Sequence, residues 1–282
     1  MCAIAKFKSK IGDISMLVEL LKYYSEKGVI TDDQGSILCP PLYESCECRK
    51  DCWSGIEKMK TDWNKIQFPF IGDNYFNQDK KVLVVGLNLN RYGGHDALIH
   101  LSLNVQYALL NHWQKIRFGN IFEDYRGSVF WHRVALYSAI ILNYFKLQEL
   151  NQDMLTDFEN LSQTMEKISF INAVKCSPKD DNSESSPTQI MKTNCPKTFL
   201  VKELLELNPD VLIIMGKDTL IMPEKFNQNY ISSSKSGNID SYKLNNGNKI
   251  ISSYIITHPT ARGGNNSDIP YEFKDFIGSS KI

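Results

Sequence analysis

The chain has 282 residues, 42% hydrophobic and 23% charged, and its 32 basic and 32 acidic residues cancel to a net charge of zero. This composition excludes a mainly disordered chain, and the length suffices for one large α/β domain or a domain with an appendage. A neutral chain is no overall basic nucleic-acid binder, although binding depends on where charges lie and a local basic groove remains compatible with it.

Met1 to Lys10 is short and lysine-rich, with no apolar stretch behind it, so no signal peptide is expected. Ile14 to Lys27 has helical spacing through Met16, Leu17, Leu20, Leu21 and Tyr24. Cys39 to Trp53 is polar, dense in cysteine and without periodicity, and reads as a loop or knuckle. Lys81 to Gly86 is a β-branched run ended by glycine, the pattern of a buried parallel strand. Helices are expected over Ala97–Trp113, Phe130–Phe145 and Asn151–Glu166, and a second buried strand over Ser169–Val174. The longest apolar run, Val134 to Phe145, contains Tyr, Ser and Asn and is too short to span a bilayer.

Lys179 to Ser186 is an acidic polar loop. Pro196 to Leu207 reads as a helix opened by Cys195 and stopped at Asn208-Pro209. A third buried strand covers Val211 to Gly216, and a further helix is expected from Lys217. Lys243 to Gly247 has the look of a hairpin turn around Asn246-Gly247, ahead of a fourth strand over Ile250–Ile256. Gly263 to Asn266 is a glycine-rich loop. There is no internal repeat.

Strands alternating with helices imply an α/β fold: a three-layer α/β/α domain on a central four-stranded, mainly parallel sheet. In such sheets function gathers at loops leaving the carboxyl ends of the strands. The expected division is an N-terminal helical, cysteine-bearing segment over residues 1–75 and a main domain over 76–282. The reading as a whole is of a soluble, cytoplasmic protein that touches no membrane and acts as a monomer.

Seven cysteines in such a chain are not a disulfide framework; clustered ones suggest metal and scattered ones core. Cys39, Cys46, Cys48 and Cys52 are clustered, and Cys176 and Cys195 flank the acidic loop.

Three motifs follow strands in order. Gly86-Leu87-Asn88-Leu89-Asn90 precedes Tyr92-Gly93-Gly94; Ile171-Asn172-Ala173-Val174-Lys175-Cys176 precedes Pro178 and then Cys195-Pro196; His258-Pro259-Thr260 follows the last strand. Together these resemble the uracil-DNA glycosylase superfamily, and the cysteines resemble its iron–sulfur branches. The resemblance runs from about Val82 to the C-terminus. It implies a glycosylase-like fold and hydrolysis of the N-glycosidic bond of a flipped uracil or modified pyrimidine in DNA, leaving an abasic site.

The resemblance also implies roles. Asn88 positions the attacking water, within a motif whose Gly86 and Leu87 backbone lines the base. A cationic, loose transition state needs only weak activation, which an amide can supply; a turn or helix cap suits Asn88 equally. Asn172 reads the base edge, since an amide offers both donor and acceptor; its bland alternative is a satisfied strand end. Phe130, in Gly127-Ser128-Val129-Phe130, matches the stacking aromatic, against plain core packing. His258 donates to the base oxygen as negative charge develops. Arg262 contacts a phosphate or the base, or is merely solvated.

Departures from the family are Leu89 in place of a proline, Asn90 in place of a small residue, and no acid in the first motif, where Asp96 is the nearest candidate. The implied cofactor is a 4Fe-4S cluster on Cys48, Cys52, Cys176 and Cys195, with Cys46 or Cys39 as substitutes and zinc as the alternative metal. An insertion at about 95–126, carrying Tyr107, Trp113, Arg117, Phe118 and Tyr125, suggests a pocket reshaped for a bulky phage-type modified cytosine in a defence role. The competing readings are a catalytically inactive nucleic-acid-binding module on the same fold, and an unrelated nucleotide hydrolase.

Overall fold

The computed structural model describes residues 19–20, 22–23, 26, 69–72, 74–87, 129–142, 163–175, 187, 189–217, 227–245, 249–257 and 268–279. The chain divides into two compact units. One is Phe68–Leu87, Asn111–Ala173 and Pro209–Ile282; the other is Met1–Gln67, Asn88–Leu110 and Val174–Asn208.

The first unit is built on a mixed sheet of seven strands. These are β1 (Phe70–Ile71), β2 (Val82–Gly86), β3 (Ser169–Asn172), β4 (Val211–Met215), β5 (Asn227–Ser233), β6 (Ile239–Asn245) and β7 (Ile250–Ile256). Their order across the sheet is β1-β3-β2-β4-β7-β6-β5. The fold is thus α/β, but the expectation of four strands is corrected to seven. The four apolar runs form the parallel centre, β3-β2-β4-β7. Antiparallel strands extend it on both sides: β1 beside β3, and the β5–β6 hairpin beside β7. The parallel strands are apolar in both registers because both faces are buried: every residue of β2, β3 and β4 is buried.

One face packs against α1 (Val129–Ile141) and a C-terminal helix. In α1, residues 134–141 are all buried, so this helix is apolar all round rather than amphipathic. Its one polar residue there, Ser138, donates to the Val134 carbonyl at 2.7 Å. The expected helix from Phe130 is present and ends at Ile141; of the expected helix before β3, the described residues 163–165 are helical.

The second unit contributes α2 (Gln189–Cys195), a π-helical turn (Pro196–Leu200) and α3 (Val201–Leu207), continuous along the chain. Cys195 therefore does not open a helix, as expected, but sits within one. Pro196 has no amide hydrogen and cannot close the bond a regular α-helix makes there. The turn widens, and the Val201 amide reaches back five residues to the Pro196 carbonyl. The stop at Asn208 is as expected: φ 44°, ψ 56°, with its amide donating to the Leu204 carbonyl. The C-terminal helix of the first unit is α4 (Ile269–Ser279), whose Phe273 meets Tyr137 of α1 and Tyr254 of β7 edge to face at 5.2 and 5.6 Å.

Asp210 gathers the amino ends of the central strands. It accepts from the Lys81 amide at 2.8 Å and pairs with the Lys249 ammonium at 2.6 Å. Partial burial pushes its carboxyl up, but the Lys249 hydrogen bond, the Lys81 amide and both positive charges outweigh this and hold it below its ordinary 3.8. A depressed carboxyl contributes stability above the unfolded value and loses it as pH falls through the folded one. Asp210→Asn is expected to lower unfolding free energy at pH 7 by on the order of 1 kcal/mol, a modest figure because water screens the pair. Urea titration should show this gap closing as pH drops below 3.8.

Candidate active site

Parallel pairing brings the carboxyl ends of β3, β2, β4 and β7 to one edge of the sheet, at Asn172, Gly86, Met215 and Ile256. Asn172 is paired with Gly86 and lies on the same face as Phe170 and Val84, the face that α1 covers. A Cβ on Gly86 would stand 2.6 Å from the Asn172 Oδ1 and 2.9 Å from the Phe170 ring. Glycine is required here because the Asn172 amide fills the space above it. The Ala173 amide continues the ladder, donating to the Gly86 carbonyl at 2.9 Å. Asn172 is 2% exposed, so a group that reached its amide would meet it in a medium where hydrogen bonds are strong.

Of the residues singled out in the sequence, the structure brings together Gly86, Leu87 and Asn172. Phe130 is the second residue of α1, on the helix that covers the same sheet face; its side chain lies outside the described residues. Asn88, His258, Arg262, Cys48, Cys52 and Cys176 also lie outside them, as do Cys39, Cys46, Asp96 and the 95–126 segment. By chain order Asn88 follows the end of β2 by two residues and His258 follows the end of β7 by two. Those strand ends are two spacings apart, about 10 Å.

In the second unit, Cys195 is 2% exposed, and its Sγ accepts a hydrogen bond from the Lys175 amide at 3.2 Å. Lys175 is the chain neighbour of Cys176. A buried sulfur that receives an amide N–H is suited to carry the negative charge of a metal-bound thiolate. Among the described residues no group of three metal-ligating side chains occurs, and Cys195 is the only cysteine described.

One feature escaped the sequence reading. The Lys175 ammonium, 1% exposed, lies 2.6 Å from both carboxylate oxygens of Glu203, itself 0% exposed. The pair welds the chain after β3 to α3, one residue from Cys176. The available signal was the position of Glu203: with Phe199, Leu200, Leu204 and Leu207 it falls in a buried helical stripe, where a charge needs a partner. A second feature was equally hidden: Glu272 of α4 accepts hydrogen bonds from Ser236 Oγ and Asn238 Nδ2 of the β5–β6 hairpin.

No family model matches the chain, and no curated protein does. No helix among the described residues is long and apolar enough to cross a membrane.

Removing one member of a buried pair strands the other charge, whereas removing both need not. Lys175→Met is expected to cost roughly 3–5 kcal/mol of unfolding free energy, and Lys175→Met with Glu203→Met to recover most of it, by denaturant titration.

Proposed function

We propose that the protein is a monofunctional DNA glycosylase that hydrolyses the N-glycosidic bond of an extruded uracil or modified pyrimidine. The observation that carries the reading is the buried Asn172 amide over Gly86, at the carboxyl edge of adjacent parallel strands. An amide there, with an obligatory glycine beside it, suits a base edge brought up against the backbone.

In this reading the flipped base stacks on Phe130 and is read by Asn172. Water held near Asn88 bonds to the sugar anomeric carbon while the glycosidic bond breaks. The bonding pair leaves with the base, and His258 donates a hydrogen bond to the base oxygen where that charge collects. Arg262 holds a flanking phosphate. The water's proton passes to solvent. The reading uses no Schiff base: Lys175 is bound by Glu203 and Lys217 by Asp240 at 2.8 Å. The product is an intact strand with an abasic site.

Cys48, Cys52, Cys176 and Cys195 hold a 4Fe-4S cluster, with zinc as the other metal the donor set suits. The Lys175 amide on Cys195 Sγ supports this. The group serves as a structural clamp and supplies no step of the hydrolysis.

Two experiments test the proposal. Labelled DNA carrying uracil or a bulky modified cytosine is incubated with the protein and then treated with hot alkali. Breaks at one of these bases are expected, reduced about 10²-fold or more in His258→Ala and Asn172→Ala. No break at any base supports the alternative of a silent nucleic-acid-binding module, which the missing acid in the first motif favours. Separately, anaerobically purified protein should be brown, with a broad band at the blue end of the visible spectrum. Cys195→Ser should lose that band; a colourless, zinc-loaded wild type would replace the cluster with zinc.

A further inference from the structure

β5 is the last strand of the sheet, and among the described residues no strand pairs with its outer side. In an antiparallel ladder every second residue of such an edge directs its N–H and C=O away from its neighbour, as a template for another strand. Soluble monomers guard an edge of this kind with charge, proline or cover. The seven residues of β5, Asn227 to Ser233, include no charge and no proline. Of the three large hydrophobic side chains exposed among the described residues, two are neighbours on this strand: Tyr230 at 57% and Ile231 at 53%.

The strand is held firmly from its inner side. Tyr230 meets Tyr242 of β6 edge to face at 5.5 Å, and its hydroxyl lies 2.8 Å from Ser233 Oγ. Ser232 Oγ lies 3.0 Å from Ser241 Oγ of β6. Ser233 also donates to Asp240, whose charge Lys217 balances at 2.8 Å. The other charge facing β5 from β6 is Lys243, opposite Asn229.

We propose that β5 is the contact of a homodimer, pairing antiparallel with β5 of a second copy about a twofold axis near Tyr230. Self-pairing sets each residue of the strand against a residue of the same strand, so a charge near its middle would face its own copy; β5 has none. The two Lys243 side chains would stand three strand spacings apart, about 14 Å, beyond the roughly 8 Å screening length of physiological salt. The pairing covers Tyr230 and Ile231 and closes the outer edge of both copies at once. Growth into a filament would need β5 to pair with the opposite edge of the sheet, where β1 has two residues, too few to template it. Tyr230 stands opposite Tyr242 and Ser232 opposite Ser241, so Ile231 is the extra residue of a bulge, which keeps the new ladder short. One short ladder buries less than the roughly 1,200 Å² of a stable complex, so the dimer is weak and forms with concentration. The monomer expected from the sequence is its dilute form.

The test uses the full chain in sedimentation velocity from micromolar to millimolar concentration. Wild type is expected to pass from monomer to dimer across that range. Tyr230→Lys and Tyr230→Glu are each expected to weaken association about tenfold or more, because like charges then meet at the axis. An equimolar mixture of the two is expected to restore it. Circular dichroism and the melting temperature report whether each variant folds. Ile231→Lys and Ile231→Glu repeat the experiment one residue away, in case the hairpin needs Tyr230. A wild type that stays monomeric at millimolar concentration overturns the proposal and leaves the edge to a foreign extended segment. A dimer undiminished in every charged variant overturns its placement at β5. Charged variants that separate but do not recombine on mixing overturn the twofold pairing.

Discussion

Three adjacent parallel strands, β3, β2 and β4, are buried along their whole length and must be covered on both faces, and that constraint governs what stands at their ends. Burial in both registers pins β3, β2 and β4 side by side, since a slip of one residue would exchange which side chains meet which layer. Pairing Val84 with Phe170 leaves Gly86 beside Asn172 with no freedom to differ. The apolar ladder thus delivers an amide to a glycine-floored position at the carboxyl edge. Asp210 secures the opposite edge, where Lys81 and Lys249 enter their strands.

The segment after β3 is held by different means. It leaves the sheet through Ala173 and is fastened within its own unit by the Lys175–Glu203 pair and by the Lys175 amide on Cys195. A buried ion pair is a poor source of net stability, because desolvation offsets most of its attraction. What it does well is demand one geometry. Lys175 has one acidic partner in α3, and meeting it brings its own amide to the Cys195 sulfur. The π-helical turn forced by Pro196 begins at the next residue, so the sulfur sits where the helix departs from regularity. Two residue types that local propensity disfavours, a mid-helix proline and a buried lysine, flank the one described thiol. Such agreement of local exceptions is characteristic of functional sites.

The parallel centre was legible because its four runs are continuous and β-branched, a pattern few other structures use. The stop at Asn208-Pro209 was legible for an equally local reason. The antiparallel flanks were not. β5 reads Asn-Gln-Asn-Tyr-Ile-Ser-Ser, and an edge strand that exposes Tyr230 and Ile231 carries no alternating signal. β6 alternates only weakly, with Ile239, Ser241 and Leu244 buried, and β1 has two residues, too few for any period. Helix α2 was missed because Cys195-Pro196 looks like a helix start, where proline is common, and a proline inside a helix is rare. At the candidate site, Asn172 and Gly86 were legible as motif residues. Their contact was not, because register is a property of two strands and not of either one. The same holds for Lys175 with Glu203 and for Glu272 with Asn238: each partner looks ordinary until the fold sets it beside the other.

The central claim is that the Asn172 amide faces an extruded base. It is tested most directly by a crystal structure of the protein with duplex DNA bearing 2′-fluoro-2′-deoxyuridine, whose glycosidic bond resists hydrolysis. The account predicts the uracil turned out of the helix, its edge within hydrogen-bonding distance of Asn172 and its ring over the strand end at Gly86. A uracil left stacked in the duplex, or bound away from the carboxyl edge of the sheet, would contradict it.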